Sequence, residues 1–381
     1  MNSIRLIFIS FLFCYPLSSG FAAEPSAGFA ESLQGRSLYV VERERSSLAV
    51  IGQQGFIKEI GGLGRLHHAT MKFMHGYGWI ISRDGYLSRI DLKTRQPAGR
   101  VRVGKSAIGL TAVGPWIAVA NYDPGSVVIV RPDLTIIKTI PTGSRTVGIK
   151  TWKNLLVYSL MDADAIEVRD RDRDFALVRR FEGVGRMPFD ALIAGDRYLA
   201  GFWKDKNLGL VDLKNLTYSR TALRPAKGPA VLKVPHFGMW GMRGTEAWVP
   251  AVGRSSLQVV DTRDFSIRTE VPLPGLPVFA VLSPDGRTIA VNYSGDQENL
   301  LTVVSTEERK VIGSWPVARR VMHMRFASDG NHLFLSSWYD NKVKVLSTRT
   351  WKVLGETPVP GPSGLFLIDQ GRQVWKKAST W

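Results

Sequence analysis

One strand-rich unit recurs eight times along this chain, and that repeat restricts the fold more than any other feature. Each unit carries an apolar run that closes on a β-branched residue and a polar turn: Ile51, Ile90, Val130, Val168, Val211, Val260, Val304 and Val345. The successive spacings are 39, 40, 38, 43, 49, 44 and 41 residues. Short alternating strands at a period near 42 are the pattern of a β-propeller with four strands per blade. Long helical periodicity is nearly absent. The D-G turns at Ser82–Gly85, Ser283–Gly286 and Ala327–Gly330 supply the tight reversals that such hairpins need.

The two ends predict closure of a ring. Ser37–Gly52 reads as two strands and Gly364–Lys377 as two more, which together complete an eighth blade and remove the open edges. The expectation is therefore an all-β, eight-bladed propeller over residues 37–377, closed by pairing of N- and C-terminal strands. Residues 24–36 read as a flexible lead-in. The long 49-residue unit between Val211 and Val260 leaves a seven-bladed ring as the rival.

Met1–Ala23 has the layout of an export signal. Arg5 gives the positive start, Leu6–Tyr15 is apolar but too short to span a bilayer, Pro16 breaks it, and Gly20–Ala23 offers small residues for cleavage. This predicts a periplasmic protein. Lipid attachment at Cys14 is disfavoured because the bulky Phe13 precedes it. Cys14 is the sole cysteine, which excludes a disulfide framework, a multi-cysteine zinc site, an iron–sulfur cluster and covalent haem on C-x-x-C-H. The net charge of +17 calls for an anionic partner or surface, and export argues against nucleic acid. There is no G-x-S-x-G elbow, Walker loop or dinucleotide fingerprint.

In a propeller, the segment entering each innermost strand reaches the mouth of the central channel. His68, His236 and His323 fall in three such segments, with His67 beside His68. Three imidazoles converging on one axis can bind a metal ion or ligate haem iron; the alternative is that each is packed structurally. Arg65, Lys105, Arg145, Arg186, Arg319 and Arg320 share these segments, with Arg83 in the first D-G turn. Such a ring fits a polyanionic ligand, or else bridges blades by ion pairs. Tyr122, Phe189, Phe237, Trp240, Phe279 and Tyr293 are candidates to stack on a flat ligand, or are blade core. Asp123 and Asp190 are the acidic exceptions, suited to proton transfer or to capping backbone N–H groups.

SRDGYLSRIDLKT, RVRVG and VANYDPGSVVIV resemble the heme d1 domain of cytochrome cd1 nitrite reductases. GRLHHAT, GRMPFDALI, VPHFGMW, AWVPAVG, LPVFAV, VMHMRF and GPSGLFL resemble NirF-type heme d1 biosynthesis proteins. The resemblance runs from about Leu38 to Ile368, and the missing C-x-x-C-H sets the chain apart from the reductase itself.

The resemblance implies an eight-bladed periplasmic propeller that holds heme d1 or dihydro-heme d1 non-covalently in its funnel. It implies a late step of heme d1 maturation, either oxidoreductase chemistry on a side chain or non-catalytic delivery. The partners would then be cytochrome cd1 nitrite reductase and NirN-like proteins, with homodimerisation open. His68 matches the proximal iron ligand. His236 and His323 match distal positions and, with Asp123, are the implied catalytic set. Arg83 would contact a ring carboxylate, and Arg65, Arg145, Arg186 and Tyr122 complete the implied contacts. The chain departs from the pattern at Lys105, where the family has Asn, and at Arg186, where it has Lys. His67 is also extra, so either adjacent histidine is a candidate ligand.

Overall fold

The computed structural model describes residues 26–67, 69–222 and 240–369. Its strands form eight four-stranded antiparallel sheets. The innermost strands are Met71–Met74, Ser106–Val113, Thr146–Trp152, Pro188–Ala194, Gly241–Arg243, Leu276–Leu282, Val321–Phe326 and Pro362–Asp369, and we number the blades in that order. This is the eight-bladed propeller that the repeat predicts. The long unit keeps the ring at eight, because its extra residues lie in the connection between Ala222 and Gly241.

The repeating Val/Ile residues have one structural job. All eight lie on the third strand from the axis, and all are buried at 1% exposure or less. In seven blades the register to the outermost strand shifts near that residue, as at Val50/Ile51 and Val303/Val304. A bulge there increases local twist, which lets the outer strands splay around the ring. Only the fourth blade pairs without a shift at this place.

Closure differs from the two-plus-two expectation. The N-terminal segment supplies three strands, Arg36–Glu42, Ser47–Gly52 and Gly55–Ile60, and the C-terminal segment one, Pro362–Asp369. Gly55, at φ 96, turns the chain after Gln53–Gln54 into the third strand. The proposed strand over 370–377 lies outside the described residues. The seam pairs Leu38 with Leu367 and Tyr39 with Phe366. Arg36 clamps it, its Nε donating to Asp369 at 2.8 Å and its Nη2 to Asp329 at 2.6 Å.

The lead-in is also more ordered than expected. Ala27–Ser32 is a helix whose Phe29, followed by Leu33, is wholly buried. Phe29 meets the Phe334 ring edge-on, 6.0 Å away. Gly355 on the seventh blade's outer strand permits this approach, since a Cβ there would sit 2.7 Å from the Phe29 nitrogen. A short amphipathic segment escaped the sequence reading because its apolar face has only two large residues.

Candidate functional site

Each chain segment runs down an innermost strand, up the second, down the third and up the fourth. One face of the ring therefore gathers the connections entering the innermost strands and those joining second to third strands. The turn Ser82–Gly85 lies on this face, whereas Ser283–Gly286 and Ala327–Gly330 join first to second strands on the opposite face. Arg65, His67, Arg83, Tyr122, Asp123, Arg145 and Arg186 all belong to the first face. His68 and His236 fall outside the described residues, as does Phe237, and the described residues contain no cluster of His, Cys or carboxylates fit for a metal ion.

A recurrent hydrogen bond builds the rim. Asp84 Oδ1 accepts from the Arg65 backbone N–H at 2.8 Å. Asp162 Oδ2 accepts from the Arg145 N–H at 2.9 Å, and Asp340 Oδ2 from the Arg319 N–H at 3.1 Å. In each case a carboxylate from one kind of connection fixes the arginine that enters the innermost strand. Asp164 does the same for Met187, which is held at φ 54. Asp123 takes no part in this capping. Its backbone carbonyl accepts from Lys105 N–H at 2.7 Å, while its carboxylate is 61% exposed and 4.0 Å from Lys105 Nζ. The capping alternative therefore belongs to Asp84, Asp162 and Asp340, and the Asp123 carboxylate is left facing solvent at the mouth.

Tyr122 is the hub of the cationic side. Arg83 lies over its ring at 4.8 Å and Arg145 at 5.8 Å. Burial pushes the Tyr122 hydroxyl up to about 12 against the pull of both guanidiniums, so it remains a neutral donor. Arg83 Nη1 is buried with no hydrogen-bond partner among the described residues. Burial, helped by the charge of Arg65, lowers the Arg83 pKa. Arg145 differs, because Asp162 already holds it in a bidentate pair with Nε at 2.9 Å. Arg65 and Arg186 are exposed. Arg145 and Arg186 border a cavity of about 320 Å³ with Asp162, Met187 and Lys204.

His323 sits deeper, on the innermost strand of the seventh blade. The register shifts between Val321 and His323, a bulge in the innermost strand. Its Nδ1 accepts from the Leu365 N–H at 3.2 Å, which assigns the proton of the neutral ring to Nε2. Phe279 and Phe366 flank it at 5.7 and 6.0 Å. Burial, then the Arg325 charge, pushes its pKa well below the usual imidazole value. It is a neutral donor at neutral pH.

The stacking expectation narrows. Phe189, Trp240, Phe279 and Tyr293 are buried in blade cores, so among the described stacking candidates Tyr122 is the half-buried one at the mouth. Asp190 is buried on the fourth blade's innermost strand.

Other residues emerge only in three dimensions. Arg43 donates from Nε to His67 Nδ1 at 2.9 Å and lies over Trp338 at 4.5 Å, and Arg320 packs on Trp338 and Tyr339. Asp162 had a sequence signal, an acidic residue in every comparable connection of units one to three, but its pairing with Arg145 did not.

Comparison with known proteins adds to this geometry. The Cytochrome D1 heme domain family model matches residues 35–370. The chain is 31% identical over 359 residues to Protein NirF of Stutzerimonas stutzeri, covering 88% of this chain and 92% of that protein. It is 28% identical over 362 residues to Protein NirF of Pseudomonas aeruginosa, with the same coverage. The fold is similar to that of the dihydro-heme d1 dehydrogenase NirN in complex with DHE, at a TM-score of 0.76 and 18% identity over 88% of this chain and 75% of that one. It is also similar to apo AztD of Citrobacter koseri, at 0.66 and 16% over 87% and 97%.

Proposed function

The chain belongs to the Cytochrome D1 heme domain family, and from that premise we propose that it binds heme d1 or dihydro-heme d1 in its funnel and acts late in heme d1 maturation. The observation that carries this reading is the buried Arg83 Nη1, which has no acceptor among the described residues and lies beside Tyr122 at the mouth. A buried donor left unpaired costs about 1–3 kcal/mol, so such a group is built for an acceptor that arrives from outside. A flat ring bearing several carboxylates provides acceptors and a face for Tyr122. The similarity to the two NirF proteins and to NirN supports the same ligand class.

The tetrapyrrole brings the iron and the conjugated ring. This chain's residues bind and orient it. Arg83, Arg65 and Arg186 meet carboxylates, Tyr122 packs on the ring edge or face, and His68 is the proposed iron ligand. His323 Nε2–H would donate a hydrogen bond from the innermost strand of the seventh blade, and the exposed Asp123 carboxylate would accept or release a proton at the mouth. Side-chain dehydrogenation removes two electrons and two protons, and the electrons pass to an acceptor outside the chain. The export-signal pattern of Met1–Ala23 supports the periplasm as the proposed place of this work, and cytochrome cd1 nitrite reductase and NirN-like proteins are the proposed recipients.

An anaerobic absorbance titration of the mature protein with dihydro-heme d1, beside His68→Ala, tests the reading. We expect saturable binding with an iron-ligand band shift that His68→Ala removes. No spectral change in the wild-type protein overturns it. Conversion to heme d1 with an added electron acceptor assigns an enzyme. Binding without conversion assigns the carrier.

A further inference from the structure

Below the mouth, the lumen of the ring carries cations that the tetrapyrrole reading does not use. Lys72 lies on the first blade's innermost strand, Lys150 on the third's and Arg325 on the seventh's. Arg325 follows His323 by two residues on the same strand, so it lies farther down the channel. The charges of Lys150 and Arg325 both act on Lys72. The third and seventh blades are each two positions from the first, so these fields meet across the lumen and not within a sheet. All three side chains are half-buried.

Acid is scarce here. Among the described residues none of the three cations lies in an ion pair, and Arg325 Nε donates only to the Leu365 carbonyl at 3.3 Å. The Asp190 carboxylate acts on Lys150 from the fourth blade. His323, on the same strand as Arg325, is neutral. The connection 223–239, which leads to the fifth innermost strand, contains no Asp or Glu in its sequence. Burial, with Lys150 and Arg325, lowers Lys72 to about 7, and burial lowers Arg325 to about 10. Three confined cations against one carboxylate are an unbalanced set, and a buried charge without a counter-charge is unfavourable.

We propose that the lumen beneath the funnel is a binding site for an oxyanionic group, held jointly by Lys72, Lys150 and Arg325. The chemistry is a carboxylate or a small inorganic oxyanion, whose several lone pairs match two ammonium groups and a guanidinium fork. The site does not depend on the tetrapyrrole reading, because its three cations stand on innermost strands and none of them is a residue that reading uses. A bound oxyanion holds Lys72 in its charged form.

Sulfate at constant ionic strength, with chloride as balance, is the probe for the tetrapyrrole-free protein. We expect saturable calorimetric binding to the wild type, at least tenfold weaker in Lys72→Met and in Lys150→Met, and unchanged in Lys93→Met on an outer turn. Saturation also raises the Lys72 ammonium pKa, read by NMR of labelled lysine in the wild type, so the outcome does not hang on a variant folding. Absent sulfate binding to the wild type, or equal binding in all variants, overturns the proposal. Repeating the titration on the tetrapyrrole-loaded protein separates the sources. Competition shows that a tetrapyrrole carboxylate reaches the lumen, and independent binding shows a separate small oxyanion; both uphold the site.

Discussion

Arg83 stacks on Tyr122 at 4.8 Å while its Nη1 stays buried without an acceptor. The pairing sets the plane of the guanidinium and leaves one edge available for a carboxylate. Arg83→Met keeps the bulk of the side chain and removes the fork. We expect affinity for dihydro-heme d1 to fall by about 1.5–3 kcal/mol, the range of a charge-assisted hydrogen bond. The melting temperature should hold or rise, because an unpaired buried donor has gone. Absorbance titration and a thermal melt check the two halves, and unchanged affinity removes Arg83 from the site.

Asp123 and Asp84 occupy comparable connections but differ in role. Asp84 caps the Arg65 N–H, and Asp123 caps nothing. Asp84→Ala should destabilise by about 1 kcal/mol, while Asp123→Asn stays within about 0.5 kcal/mol, as a surface change does. If Asp123 moves a proton, Asp123→Asn also abolishes heme d1 production in cells while binding persists. Production at the wild-type level would make Asp123 dispensable.

The Arg145–Asp162 pair is bidentate but 40% and 44% exposed. Solvent screens it, so a double-mutant cycle should give a coupling of about 0.2–1 kcal/mol. A larger value would mean that the pair is closed off from water.

His323 makes stability depend on acid. Its folded pKa is depressed, so below about pH 6.5 the unfolded chain binds a proton that the folded chain refuses. Stability is then lost as pH falls, by up to about 1.4 kcal/mol per pH unit for one group. Denaturant melts between pH 7 and 5 should show this slope, and His323→Gln should flatten part of it. An identical slope in the variant would place the acid sensitivity elsewhere.

Phe29 ties the N-terminal helix to the seventh blade. Phe29→Ala should cost about 3–5 kcal/mol by the cavity it leaves. A cost below about 1 kcal/mol, read by chemical denaturation, would show that the helix adds little to the ring.

The sequence by itself determined the repeat, its length and the all-β propeller it builds. Those features are local: short apolar runs, the Val/Ile at each third strand, and turn residues at fixed offsets. The long unit was legible as an irregularity, and the ring absorbed it in a connection. The family was legible too, in segments such as SRDG and VMHMRF. Only the tertiary structure decided how the closing blade is shared, three strands to one, because the seam pairing joins residues more than 300 positions apart. It also decided which aspartates cap arginines, which aromatics are core, and that Lys72, Lys150 and Arg325 share one lumen. A charge is a single letter in the sequence. Its partner, its burial and therefore its chemistry are set by strands that meet only when the ring closes.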